Sequence, residues 1–164
     1  MEIVKIYTDG ACSDNPGPGG WASVFTLEED FQILTGREYE TTNNRMELLA
    51  VIETLREILV LNAVKVDCVK FLIHSDSAYV VNSINNKWID KWQMNGWMTT
   101  QGEDIKNKDL WMQFVDERKA VRKRGIEVEM VKVKGHAGDI FNEMADKHAR
   151  EQSMMAKEEW SEWQ

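Results

Sequence analysis

The stretch TTNNRMELLAVIETLREILVLNAVKVDCVKFLIH, residues 41–74, decides the fold class. It opens with Thr41, Thr42, Asn43 and Asn44, whose short polar side chains can accept hydrogen bonds from the first free N–H groups of a helix. Behind them Leu48, Ile52, Leu55 and Leu59 recur at three- and four-residue spacing, which predicts a helix over 44–61 with one buried face. Residues 66–74 are rich in apolar and β-branched side chains and predict a buried strand. A helix between two strands favours parallel pairing through a right-handed crossover, so this segment implies an α/β sheet.

Working outward, residues 3–7 predict a strand ending at Asp9, and 10–20 a loop dense in turn formers, Asn15-Pro16-Gly17-Pro18-Gly19-Gly20. Residues 21–27 and 31–39 predict two further strands joined by the acidic turn Glu28-Glu29-Asp30, which suits an antiparallel meander. On the other side a helix begins near Ser77. Asn107 caps another, with Leu110, Trp111, Phe114, Val115 and Val121 as its apolar residues; 126–133 is a strand and 140–152 a final helix. The order βββαβα…αβα predicts a mixed five-stranded sheet, three antiparallel strands followed by parallel ones, flanked by helices. Residues 1–152 form one domain. Residues 153–164 are read as a short acidic tail with Trp160 and Trp163, expected to fray or dock on its own domain, with binding of a protein partner as the alternative. Segment 85–102 is less regular: Trp88, Trp92 and Trp97 punctuate it, and either cluster to stabilise a protruding loop or contact nucleic acid.

Bulk properties bound the setting. A chain of 164 residues fits one domain, and it contains no apolar run near the ~18 residues that a membrane span needs. Residues 1–10 lack the basic and apolar regions of a secretion signal. Cys12 and Cys68 are too few for a disulfide framework, so a cytoplasmic, reduced monomer is the expectation, and the compact limits suggest an independent protein. The net charge of −8 sits awkwardly with nucleic-acid binding, yet Arg118, Lys119, Arg122, Lys123, Arg124, Lys132 and Lys134 concentrate positive charge locally. Net charge alone decides nothing.

Four carboxylates stand out by placement. Asp9 and Asp76 fall at the C-terminal ends of the first and fourth strands; if those strands are adjacent and parallel, both acids emerge at one sheet edge, where open α/β sheets bind ligands. Glu47 falls in the first turn of the long helix, and Asp146 one turn after Asn142 on the last helix. Acids gathered in one place repel one another and need protons or cations; hard oxygen ligands suit Mg²⁺ or Mn²⁺. A surface charge or a cap is the competing reading for each acid taken singly.

Tyr7-Thr8-Asp9-Gly10-Ala11-Cys12 with Asn15-Pro16-Gly17-Pro18-Gly19-Gly20-Trp21 resembles the opening signature of the type 1 ribonucleases H, the bacterial ones especially. Thr41-Thr42-Asn43-Asn44-Arg45-Met46-Glu47-Leu48, His74-Ser75-Asp76-Ser77-Ala78-Tyr79-Val80, and Val133-Lys134-Gly135-His136-Ala137-Gly138 with Asn142-Glu143-Met144-Ala145-Asp146 are similar to that family's later motifs, in the same order. The resemblance implies a ribonuclease H-like fold and an endonuclease that cuts the RNA strand of RNA–DNA hybrids, leaving 3′-OH and 5′-phosphate ends. It makes Asp9, Glu47, Asp76 and Asp146 the catalytic carboxylates, holding two Mg²⁺ ions or Mn²⁺. It makes His136 a histidine assisting proton movement or product release, against a loop-anchoring alternative. It places Cys12, Asn15 and Asn43 near the strand-recognition surface, Thr42 and Asn43 in a pocket for a DNA phosphate, and Trp88 and Trp92 on the substrate-facing protrusion. His74 and His148 match no catalytic position. A non-catalytic hybrid-binding module would be expected to lack one of the acids, and a DNA-cutting nuclease of the same sheet to lack the Asn43–Glu47 and Gly135-His136 features.

Two departures bear on function. Ala78 stands where the best-known bacterial members carry glutamine, so one hydrogen bond to the hybrid is missing, worth about 0.5–1.5 kcal/mol. The protrusion, basic in those relatives, has neither Lys nor Arg between Trp92 and Glu103, which leaves Lys87, Lys91, Lys106 and Lys108 as the nearby cations. Because each phosphate neutralised on duplex DNA contributes about −0.9 to the log–log slope of affinity against salt, a salt titration of hybrid binding should give a shallower slope than a relative with a basic protrusion. Equal slopes would contradict this reading.

Overall fold

Period-two burial and 3.6-residue stripes become a mixed sheet with helices on both faces in a computed structural model, which describes residues 2–27, 30–63, 68–134 and 139–164. The meander is β1 (Glu2–Cys12), β2 (Gly17–Leu27) and β3 (Asp30–Thr41), followed by α1 (Asn43–Ala63), β4 (Cys68–Ser75), α2 (Ala78–Asn85), α3 (Trp88–Met94), α4 (Lys108–Lys123), β5 (Glu127–Lys132) and α5 (Ile140–Glu162). The sheet order is β3-β2-β1-β4-β5. β1 runs antiparallel to β2 and parallel to β4, and β4 parallel to β5, the mixed arrangement expected from the sequence. None of the helices among the described residues is long and apolar enough to cross a membrane.

One face of the sheet carries α1, with α4 packed against it. Leu48, Ile52, Leu55 and Ile58 of α1 meet Val4, Ile6, Phe71 and Ile73 of the strands and Trp111 and Phe114 of α4 in the main core. The other face carries α5, whose buried residues Asn142, Ala145, Ala149, Ser153 and Ala156 form a stripe of small side chains. That stripe lets the helix lie very close to β2: a Cβ on Gly20 would fall 2.6 Å from the Ala149 carbonyl oxygen.

The turn-rich reading of residues 10–20 therefore needs correcting. Only residues 13–16 lie outside the strands, and Gly17 to Gly20 belong to β2. Glycine at position 20 answers close helix packing rather than a turn. The helix drawn at 140–152 is also too short, since α5 runs without a break through Glu162. The segment set apart as a tail is the helix's distal part, where Tyr39 of β3 stacks on Trp160 at 6.0 Å and meets Trp163 at 4.8 Å.

Asn107 does precede α4, but at φ 60° and without a side-chain capping bond. Its amide oxygen instead accepts from Arg45 (3.4 Å) and its nitrogen donates to the Tyr79 hydroxyl (3.0 Å), tying α4 to α1 and α2.

Gly20→Ala tests the close packing of α5. Forcing a methyl against backbone should cost about 1–3 kcal/mol in denaturant unfolding. Unchanged stability would mean the two elements do not approach this closely.

Candidate active site

The parallel seam between β1 and β4 ends at the pair Tyr7 and His74, while β1 continues, paired with β2, to Cys12. Asp9 thus stands where β1 has outrun its parallel neighbour, not at the end of the strand as the sequence suggested. Asp76 follows the last residue of β4, in the two-residue turn that leads to α2. Ser77 caps α2 by accepting from the Val80 N–H at 3.2 Å, and Lys132 donates to the Asp76 carbonyl at 2.8 Å, so the turn is held from both sides.

Glu47 arrives from α1. Thr42 accepts from the Arg45 N–H at 3.2 Å, so the helix starts at Asn43, one residue earlier than expected, and Glu47 lies just past its first turn. Gly10 makes the convergence sterically feasible: a Cβ there would sit 2.6 Å from the Met46 carbonyl carbon, so only glycine lets α1 press this closely on β1. The result is a cluster of Asp9, Glu47 and Asp76 whose nearest ligand atoms lie within 4.8 Å of one another.

Burial sharpens the repulsion. Asp9 is 8% exposed and Glu47 9%. Desolvation pushes the Asp9 carboxyl up to about 7, the negative charge of Asp76 adds to it, and hydrogen bonds with Glu47 and the Gly10 N–H oppose it. Glu47 is raised well above the ordinary range, first by burial and then by Asp9 and Asp76. Its Oε2 is buried without a hydrogen-bond partner. An acceptor oxygen left bare among clustered acids is the setting that a hard divalent cation satisfies.

Asp146 and Arg150 of α5 line the same cleft, a cavity of about 510 Å³, with Cys12, Asn43, Ala78 and Tyr79. Asp146 is outside the three-acid cluster; its Oδ2 accepts from Arg150 Nε at 3.0 Å. Asn15 sits beside the cleft, and its Oδ1 accepts from the Asn43 N–H at 3.2 Å. The Cys12 thiol donates to the Asp14 carbonyl at 3.0 Å. Trp92 packs on core Trp111, with ring centroids 5.7 Å apart, whereas Trp88 is 39% exposed on α3. His136 lies outside the described residues. Lys108, one of the cations expected to help the protrusion, pairs with Asp104 at 3.5 Å.

Tyr79 and Arg150 were not singled out from the sequence. Tyr79 accepts from Trp111 Nε1 at 2.8 Å as well as from Asn107, and so joins the cleft wall to α4. Each carried a usable signal: Arg150 is one helical turn after Asp146, and Tyr79 three residues after Asp76.

Acids gathered at the open end of a parallel seam define a class of site built to hold hard cations beside a ligand. The RNase H family model matches residues 1–154. The chain is 47% identical over 150 residues to Ribonuclease H of Caldicellulosiruptor saccharolyticus, covering 92% of this chain and 95% of that protein. It is 49% identical over 148 residues to Ribonuclease H of Mesorhizobium japonicum, covering 90% and 76%. The crystal structure of LC9-RNase H1, a type 1 RNase H with the type 2 active-site motif, superposes with a TM-score of 0.75 at 30% identity, covering 94% of this chain and 73% of that one. LC11-RNase H1, solved in complex with an RNA/DNA hybrid, shares the fold with a TM-score of 0.66 at 23% identity, covering 90% and 94%. The chain belongs to the RNase H family.

The raised Asp9 pKa has a sign that stability can read. A carboxyl whose folded pKa lies above its ordinary 3.8 gives stability that is complete below that pH and lost as pH rises through about 7. In EDTA, the melting temperature of the native chain relative to Asp9→Asn should therefore fall between pH 4 and pH 8. A constant difference would contradict the crowding of these acids.

Proposed function

We propose that this chain is an endoribonuclease that hydrolyses the RNA strand of RNA–DNA hybrids and leaves 3′-OH and 5′-phosphate ends. The observation that carries the reading is the convergence of Asp9, Glu47 and Asp76 around an unpartnered Glu47 oxygen, in a chain of the RNase H family. Asp9, Glu47, Asp76 and Asp146 would hold two divalent cations, Mg²⁺ or Mn²⁺. Such a pair supplies an activated water and charge neutralisation for the leaving oxygen of an in-line phosphodiester displacement.

The chain's own groups do the rest. Burial of Asp9 and Glu47 denies their charges water, which favours cations over solvent. The N-terminus of α1 faces the cleft with Asn43 and Asn44, and the helix dipole together with these side-chain amides suits a phosphate of the DNA strand, with Thr42 at the cap. With the Asn15 oxygen engaged by Asn43, its amide nitrogen is left as a donor to the hybrid, next to Cys12. Asn43 and Asn15 thereby supply groups able to sense a 2′-OH in the minor groove. Trp88 offers an exposed ring on the protrusion and Trp92 fixes the protrusion to the core. His136, which precedes α5 in the sequence, would move a proton or assist product release. The low cysteine content supports a cytoplasmic setting, where the chain would act as a monomer.

A hybrid with fluorescently labelled RNA tests this, run with Mg²⁺ and with EDTA beside single-stranded RNA, duplex RNA and duplex DNA. Cleavage should be confined to the hybrid, need the cation, and fall by orders of magnitude in Asp9→Asn while the fold persists. Turnover retained in the variant, or equal cutting of duplex DNA, would overturn the proposal.

A further inference from the structure

The distal part of α5 is not needed to complete the sheet, yet it is anchored at two places. At its far end Glu159 pairs with Arg37 of β3 at 2.5 Å and accepts from the Tyr39 hydroxyl at 2.9 Å, while the Tyr39 ring stacks on Trp160 and meets Trp163 at a tilt. Nearer its middle, Ser153 is 3% exposed and its hydroxyl donates to the Pro18 carbonyl at 3.0 Å. The Ser13 hydroxyl lies 2.6 Å from that of Ser153, where either can donate, and 3.3 Å from the Ser153 carbonyl, to which it can donate instead. Pro18 also accepts from the Ser13 N–H at 2.8 Å.

These bonds fix both ends of the short loop 13–16, and that loop carries Asn15, whose oxygen holds the Asn43 N–H at the start of α1. A continuous polar path thus runs from Ser153 through the loop to the helix that delivers Glu47.

We propose that Ser153, braced by the clasp on β3, is a positioning residue that sets the Asn15 loop against the carboxylate cleft, so that the end of α5 tunes hybrid binding without touching the substrate. The inference rests on the hybrid reading for Asn15; the brace itself is independent of it. Buried polar contacts of this kind hold a loop in one place because breaking one strands a partner in a dry environment.

The test is a double-mutant cycle in the full chain: Ser153→Ala, Ser13→Ala and the pair. Hydrogen exchange on the protein without nucleic acid should show the Ser13 amide opening about 2- to 10-fold faster in each single variant, and no faster in the pair, with core amides unchanged. With the hybrid, KM should rise by a similar factor while kcat holds. Additive effects, or exchange accelerated throughout the core, would overturn the brace. Faster loop exchange with KM unmoved would overturn its positioning role, even if the wild-type chain cleaves hybrids as proposed. Failure of the wild type to cleave would overturn the hybrid reading and leave the exchange result to judge the brace alone.

Discussion

Two buried carboxylates are held against each other with a third alongside, and the rest of the structure is arranged around tolerating that repulsion. Asp9 cannot move away because β1 is clamped to β2 beyond the point where β4 stops. Glu47 cannot withdraw because the absent side chain of Gly10 admits the backbone of α1, which is itself fixed by the Thr42 cap and the buried stripe of Leu48, Ile52 and Leu55. A fold that stores unfavourable charge in this way gains function only when something of opposite charge enters.

Helix α5 serves the same site from the opposite face. Its small stripe brings it near the sheet, which places Asp146 and Arg150 at the cleft, and its distal part reaches the loop that holds Asn15. The fourth carboxylate, Asp146, lines the same cleft in an ion pair with Arg150, and its hydrogen bond with Asp9 raises the Asp9 carboxyl further.

Periodicity made the main elements legible. Leu48, Ile52 and Leu55 announce one helix face and Leu110, Trp111, Phe114 and Val121 another, and both faces are buried as their spacing implies. The sheet order follows from a crossover helix after a meander. What periodicity could not convey was contact between distant segments. Gly17 to Gly20 read as turn because glycine and proline signal turns locally, whereas Gly20 is small to admit α5. Asn107 read as a cap because the residue type fits, whereas its amide is spent on Arg45 and Tyr79. The end of α5 read as a tail because its acids and exposed positions carry no core signal, while its anchors, Arg37 and Tyr39, lie more than a hundred residues earlier. By position alone the carboxylates stood out only as acids on separate elements, and it was the family motifs that grouped them; how closely they converge required the topology.

If that convergence is the organising constraint, a divalent cation should stabilise the folded chain through Glu47 in particular. The most direct measurement is the melting temperature at pH 8 across a Mg²⁺ titration, for the native chain beside Glu47→Gln. A ligand that binds only the folded state raises stability with its concentration. The native melting temperature should climb with Mg²⁺, and the variant should start higher and respond far less. An equal response in both proteins, or none in the native chain, would contradict the account.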